Sequence, residues 1–416
     1  MLALREFRSA AKGLPDLLNY AAVVDDGVVL NKDGSLSAAW AYRGEDLDSA
    51  SASELSALSA RVNAVFARRG SGWMLHVDAL RTEARGYPDV GAFPDRTTLL
   101  IDRERRVAHE AEEAHYESRY VLTATYLPPI DAEHAVTTFF VDGDRPQGLR
   151  TTASRALETF AGALVEIEDN LSAALRLRRL RGRRVHDRFG GAHTQDEFLR
   201  HLMMCLTGDD HPVNLPPVPM YLDAVLGAHD FRGGLRPRIG RRHIRTIAIT
   251  GFPAESYPGI LDFLNRLPLQ YRWSTRFIML DTPAAQHEIN RYRARWWQKR
   301  KSLRNLLREH TGNAATHIDA DADTMAADAV AALADASSGA VKFGYHTSVI
   351  VLMDENEELV DASARSVLKA INHAGFGARI EDVNAVEAFL GTLPGHGYPN
   401  VRRPLMHTLN LSLIHI

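Results

Sequence analysis

The chain has 416 residues, of which 45% are hydrophobic and 24% charged, with a formal net charge of −3. That balance describes an ordinary globular chain long enough for two or three domains, and any nucleic-acid affinity must come from a local patch rather than a global field. Cys205 is the one cysteine, which excludes an internal disulfide framework. In the apolar context Leu202–Leu206 it reads as a small buried hydrophobe.

No apolar run approaches the roughly 18 residues of a spanning helix. The start, Met1 to Arg8, lacks the apolar core of a secretory signal. Leu14, Leu17, Leu18 and Ala21 form a short apolar face that is expected to pack on its own domain. Val28 to Tyr42 reads as a hairpin, because Asp33-Gly34 tolerates positive φ between β-forming runs. Ser53 is expected to cap a helix reaching about Arg69, with Leu55, Leu58, Val62 and Val65 at helical spacing.

Trp73 to Leu80 returns as a strand. A Pro/Gly-rich excursion from Gly86 to Pro94 precedes a charged helix through Glu117, and Tyr120 to Leu127 is a strand stopped by Pro128-Pro129. A long helix is expected from about Arg150 to Leu180, a short edge strand over Val185 to Phe189, and a helix around Thr194 to Leu206. Residues 209–219 hold Pro212, Pro216, Pro217 and Pro219 and read as a linker.

Beyond it, Ile244 to Thr250 is a strand, Gly259 to Leu267 a helix and Tyr271 to Leu280 a strand. A helical arm spans 283–334, with helices over about Pro283 to Glu309 and Thr324 to Ala334. Tyr345 to Met353 is a strand, Leu359 to Ala374 a helix, Ala378 to Val383 a short strand and Val386 to Leu393 a helix. The order suits an α/β (α+β) chain of two ferredoxin-like lobes with helical insertions, helices covering one face of a mixed sheet. The expected division is a lobe over 1–208, the linker 209–219, a second lobe over 220–392 and a connector over 393–416. Pro394, Pro399 and Pro404 each remove a backbone donor, so the connector is expected to run extended and to fray.

Arg291, Arg293, Arg295, Lys299, Arg300, Lys301, Arg304 and Arg308 load one predicted helix with positive charge, interrupted by Trp296 and Trp297. Ile289, Tyr292, Trp296, Leu303 and Leu307 supply an apolar stripe by which the helix would dock. Arg291, Arg295, Trp296, Lys299, Arg300 and Arg304 are the candidate contacts to a partner or to nucleic acid, with arginine for phosphate and tryptophan for stacking. Arg176, Arg178, Arg179, Arg181, Arg183, Arg184 and Arg188 form a second basic cluster, expected at a solvated helix end. Asp319-x-Asp-x-Asp323 departs from a calcium loop at Thr324 and Val330. There is no H-E-x-x-H and no G-x-S-x-G, so the sequence assigns no catalytic, nucleotide-binding or metal-ligating residue.

Several stretches in order carry a resemblance. They are Gly27 to Ser35, Gly70 to Trp73, Glu117 to Pro129, Pro219 to Ala224, Leu264 to Leu267, Tyr271 to Arg276, Lys299 to Ser302, and Leu393 to Leu411. Together they resemble the amino-terminal portion of the TrbE-like conjugal transfer ATPases of type IV secretion. The resemblance implies a cytoplasmic protein, peripheral to the bacterial inner membrane, that energises pilus assembly and DNA transfer. It also implies other secretion components as partners, self-association when full length, and ATP with magnesium as cofactors. The family's phosphate-binding loop has no counterpart, since no Gly is followed by Lys. A non-catalytic docking scaffold without ATPase activity is therefore expected, lacking the C-terminal P-loop motor domain; a nucleic-acid-binding module using the two basic stretches is the rival.

Overall fold

β-forming alternation and turn chemistry set the strands, and among the described residues one main sheet gathers all but two of them, which pair separately as a hairpin. The computed structural model describes residues 13–44, 50–84, 86–89, 91–111, 114–129, 147–187, 190–216, 220–253, 259–291, 337, 339–399 and 402–410. The first half runs α1 (Leu14–Leu17), β1 (Tyr20–Asp25), β2 (Val28–Asn31), β3 (Leu36–Arg43), α2 (Ala52–Phe66), β4 (Trp73–Glu83), α3 (Arg96–Ala111) and β5 (Tyr116–Tyr126). It continues through α4 (Gln147–Leu171), β6 (Arg176–Arg179), β7 (Gly182–His186), β8 (Ala192–Asp196) and α5 (Glu197–Thr207). The second half holds α6 (Leu222–Leu226), β9 (Phe231–Arg232), β10 (Arg238–Ile239), β11 (Arg242–Gly251), β12 (Tyr271–Met279) and β13 (Phe343–Asp354). It closes with α7 (Glu357–His373), β14 (Gly377–Ile380), α8 (Ala385–Leu390) and β15 (Leu405–His407).

Local chemistry explains several boundaries. The β2–β3 turn has Gly34 at φ 85°, and the Asp33 carboxylate accepts from both the amide and the hydroxyl of Ser35. Ser51 rather than Ser53 caps α2, because Glu54 reaches back to the Ser51 amide while its own amide donates to the Ser51 hydroxyl. Asp262–Arg266 forms a 3-10 turn in place of the expected helix, and Pro268 follows too soon for α turns to accumulate. The long helix ends at Leu171, and Arg176, Arg178, Arg179, Arg183 and Arg184 of the basic cluster lie on β6 and β7 rather than at a helix end, with Arg181 between the two strands and Arg188 outside the described residues. There β6 pairs with β3 along Trp40–Arg43, covering an edge that β2 leaves open, and the Arg179 guanidinium lies over the Trp40 ring.

Among the described residues the main sheet has 13 strands in the order β1-β2-β3-β5-β4-β12-β13-β11-β10-β9, with β14 on β11, β15 on β13 and β6 on β3. Every pairing among the described residues is antiparallel rather than mixed, with the order β6-β3-β5-β4 in the first half and β14-β11-β13-β12 in the second, so an antiparallel strand lies between the two strands that each crossover joins. The two halves do not carry separate sheets. β4 pairs with β12 from Met74↔Ile278 to Arg81↔Tyr271, so each half's open edge is covered by the other.

Strand alternation sorts the two faces of this joint. Trp73, Leu75, Val77 and Ala79 face a layer built by α2 and α4 in the first half and by α7 in the second. On the opposite face α5 spans both halves, packing with Val29, Ala39 and Val121 and also with Ala248, Val349 and Val351. Asp196 caps α5 at Leu199, and Gly208 ends it at φ 79°, where a Cβ would stand 2.9 Å from the Arg242 side chain. Leu14 and Leu18 pack into this same layer, in keeping with the apolar face expected there.

The terminal segment departs most from expectation. Leu393 and His396 are buried, β15 pairs with β13, and the Thr408 amide donates to the Lys342 carbonyl. It is built into the sheet rather than extending away from it. The three prolines lack N–H groups but keep their carbonyls, and each carbonyl is used: Pro394 by Tyr20, Pro399 by Arg276 and Pro404 by the His346 amide.

Candidate functional site

The central joint is apolar on one face and polar on the other. Register places His76 opposite Arg276, Asp78 opposite Ser274 and Leu80 opposite Arg272, all on the face beneath α5 and residues 391–399. His76, Asp78, Arg272, Ser274 and Arg276 are all buried. Buried polar groups of this kind must be satisfied by partners, and much of the partnership comes from the terminal segment.

Arg272 donates to Asp78 Oδ1 at 2.9 Å, to the Thr392 carbonyl at 2.8 Å and to Thr392 Oγ1 at 2.6 Å. Ser274 adds a hydrogen bond to the same carbonyl at 3.2 Å. Arg276 donates to the carbonyls of His396 at 3.0 Å and Pro399 at 2.8 Å. From the first half, Tyr20 donates to the Pro394 carbonyl at 2.7 Å and the Asn19 side chain to the Gly395 carbonyl at 3.0 Å. The Asn19 amide donates to His396 Nε2 at 3.1 Å, which makes that nitrogen an acceptor. Residues 392–399 are thus clasped from both halves at once. Gly395 makes the bend, with φ 84° and its α-carbon against Asn31.

Burial dominates the electrostatics. It holds His346 down to about 4, and with the charge of Arg276 holds His396 down to about 3. Burial also pushes His76 down to about 3 and, with the nearby Arg403 charge, brings Arg276 down to about 9. For Asp78, burial favours the neutral acid, but His201 and Arg272 outweigh it and hold the carboxyl at about 2. For His201, burial opposes the charge, but Cys205 and Asp78 outweigh it and push the imidazole up to about 10.

A soft-ligand cluster adjoins this seam. His201 and Cys205 sit four residues apart on α5 and meet Asp78 of β4, all three buried, with their donor atoms within 4.8 Å of one another. Such a set is suited to a divalent transition metal. The sequence reading missed it, since Asp78 is distant in sequence and Cys205 alone reads as a core residue. It also passed over Arg272, Ser274 and Arg276, although their alternation with Tyr271, Trp273 and Phe277 carried a period-2 signal of a second, polar face.

The charged arm is only partly in view. Residues 282–291 are helical, Ile289 is buried, and Arg291 is exposed and paired with Glu288 at 3.0 Å. Arg295, Trp296, Lys299, Arg300 and Arg304 lie outside the described residues.

Comparison with known proteins accords with the resemblance. Residues 27–133 match the family described as "Type IV secretion system ATPase VirB4/TrbE, N-terminal domain". Residues 184–402 match "CagE, TrbE, VirB family, component of type IV transporter system". A "Conjugal transfer protein TrbE" of Rhizobium radiobacter is 40% identical over 416 residues, covering 99% of this chain and 50% of that protein. In Sinorhizobium fredii, a probable conjugal transfer protein TrbE is divided between two chains. The first of them is 45% identical over 130 residues, which cover 31% of this chain and 87% of that protein. The second is 42% identical over 254 residues, 61% of this chain and 38% of that protein. The present chain therefore spans about half the length of the Rhizobium relative. On these matches, the chain belongs to the CagE, TrbE, VirB family of type IV transporter components.

Proposed function

We propose that this chain is the docking scaffold of a conjugal transfer ATPase of type IV secretion, and that it transmits the work of ATP hydrolysis without performing it. Family membership supports the general role. The observation that carries the scaffold reading is the clasp on residues 392–399, held by Tyr20 and Asn19 from one half and Arg272 and Arg276 from the other. In the longer relatives, a displacement of the region beyond this segment would pull directly on the central joint. In that setting the partners are other secretion components at the inner membrane and further copies of the protein, with ATP and magnesium bound outside this region. Among the described residues no helix is long and apolar enough to cross a membrane, which fits peripheral attachment.

The test is to put Arg276→Met into the longer protein. ATP hydrolysis within a few-fold of the parent, together with loss of DNA transfer, is expected for a transmitting scaffold; unchanged transfer would refute it. Micromolar ATP binding by the present chain, read by calorimetry, would refute the non-catalytic half of the proposal.

A second reading draws on Arg176, Arg178, Arg183 and Arg184, which are exposed on β6 and β7. They could grip single-stranded nucleic acid together with the arm at 291–308. In that case affinity must fall steeply with salt and drop when these arginines become glutamates. Salt-independent or undetectable binding removes this reading.

A further inference from the structure

We propose that Asp78, His201 and Cys205 form a binding site for a divalent transition metal of the zinc class. The separations are the first argument. His201 Nε2 stands 3.4 Å from Asp78 Oδ2 and 3.5 Å from Cys205 Sγ. A tetrahedral zinc ion with ordinary bond lengths spaces its nitrogen and oxygen ligands by about 3.3 Å and its nitrogen and sulfur ligands by about 3.6 Å. The histidine nitrogen is the shared vertex of both edges.

The second argument is the orphaned oxygen. Asp78 is fully buried, and its Oδ2 makes no hydrogen bond among the described residues. A charge-assisted contact between imidazolium and carboxylate closes to about 2.8 Å. The wider gap matches a pair of ligands facing a common ion. Meanwhile Arg272 holds Oδ1 at 2.9 Å and fixes the carboxylate, the kind of outer partner that orients metal ligands.

Placement supplies the rest. His201 and Cys205 share a face of α5 one turn apart, and α5 is capped at both ends and buried along its length. A cleft of about 50 Å³ reaches Cys205 and Arg272, with the exposed Gln270 in its lining. Its lining holds Cys205 but neither Asp78 nor His201, so it approaches the cluster from the Cys205 side. The ion would tie α5 to β4, and so cross-brace the joint from the side opposite α2, α4 and α7.

The test titrates the metal-free 416-residue chain with Co²⁺. Stoichiometric binding is expected, with the visible bands of tetrahedral cobalt and a near-ultraviolet sulfur-to-cobalt charge-transfer band, both displaced by Zn²⁺. Cys205→Ala should abolish the charge-transfer band, and Arg272→Lys should weaken binding by about tenfold or more. In the parent chain, Zn²⁺ should slow modification of Cys205 by a thiol reagent at least about tenfold, a readout independent of any variant's folding. Absence of the charge-transfer band in the folded parent would overturn the proposal, as would its persistence in Cys205→Ala or a thiol reactivity indifferent to Zn²⁺. The cluster would then be a proton shared by His201 between Asp78 and the thiol.

Discussion

Replacing Arg272 by methionine tests whether the joint is held by its polar face. The guanidinium is buried and makes three hydrogen bonds, one to the Asp78 carboxylate and two to Thr392. Methionine keeps much of the stem but removes the cation hydrogen-bonded to Asp78, leaving the buried carboxylate with only His201 beside it at 3.4 Å. Breaking a buried pair in this way costs about 3–5 kcal/mol, because the surviving charge loses its compensation. Ser274→Ala is the control, since it removes one hydrogen bond at 3.2 Å to the same Thr392 carbonyl and should cost about 1 kcal/mol. Adding Asp78→Leu to Arg272→Met should restore part of the loss, since an apolar pair can replace a buried ion pair. Urea unfolding with a chelator present reads all of these without contribution from bound metal. An Arg272→Met cost below about 1 kcal/mol, or no larger than that of Ser274→Ala, would show that the ion pair does not hold the two halves together.

Other consequences concern acid, backbone and proteolysis. The ring nitrogens of His346 have no hydrogen-bond partner among the described residues, and burial holds the group at about 4 against an ordinary 6.5. The unfolded chain therefore takes up the proton first, so stability is full above pH 6.5 and falls by about 3 kcal/mol as pH drops to 4. His346→Phe, placed edge-on to Phe252, should remove this share of the pH dependence in urea midpoints and leave the share of the buried His76 and His396; an unchanged slope counts against the assignment. Gly395→Ala forces a left-handed residue against Asn31, 3.2 Å from the new Cβ, and should cost about 1–2 kcal/mol or more in thermal unfolding. The same variant should hasten proteolysis between residues 391 and 404, and equal cleavage rates would mean that the bend is not needed.

Much of the framework is legible in the sequence. The hairpin around Asp33-Gly34 and the strands β4, β12 and β13 announce themselves through turn chemistry and β-forming runs, β13 starting at Phe343, two residues before the expected Tyr345, and α7 through its apolar spacing. Pairing between distant partners is not legible. Asp78 and Arg272 are 194 residues apart, and nothing local to either strand says that the two edges meet. The terminal segment misleads for a different reason. Prolines are read for the donors they lack, while Pro394, Pro399 and Pro404 contribute as acceptors. Likewise the alternation in Arg176–Arg179 is hidden by charge, and pairing with the open edge of β3 decides that strand.

Hydrogen exchange across the terminal segment tests most directly whether it belongs to the joint. The Thr408 amide donates to Lys342, His346 donates to the Pro404 carbonyl, and β15 pairs with β13 over Phe343↔His407 to Tyr345↔Leu405. Residues 405–408 should then be protected to a degree comparable with the neighbouring stretch 343–346 of β13, and should lose protection together with it in Arg272→Met. Rapid exchange at 405–408 while 343–346 stays protected would contradict the clasp, and with it the reading of this chain as a scaffold coupled through its terminal segment to an ATPase motor.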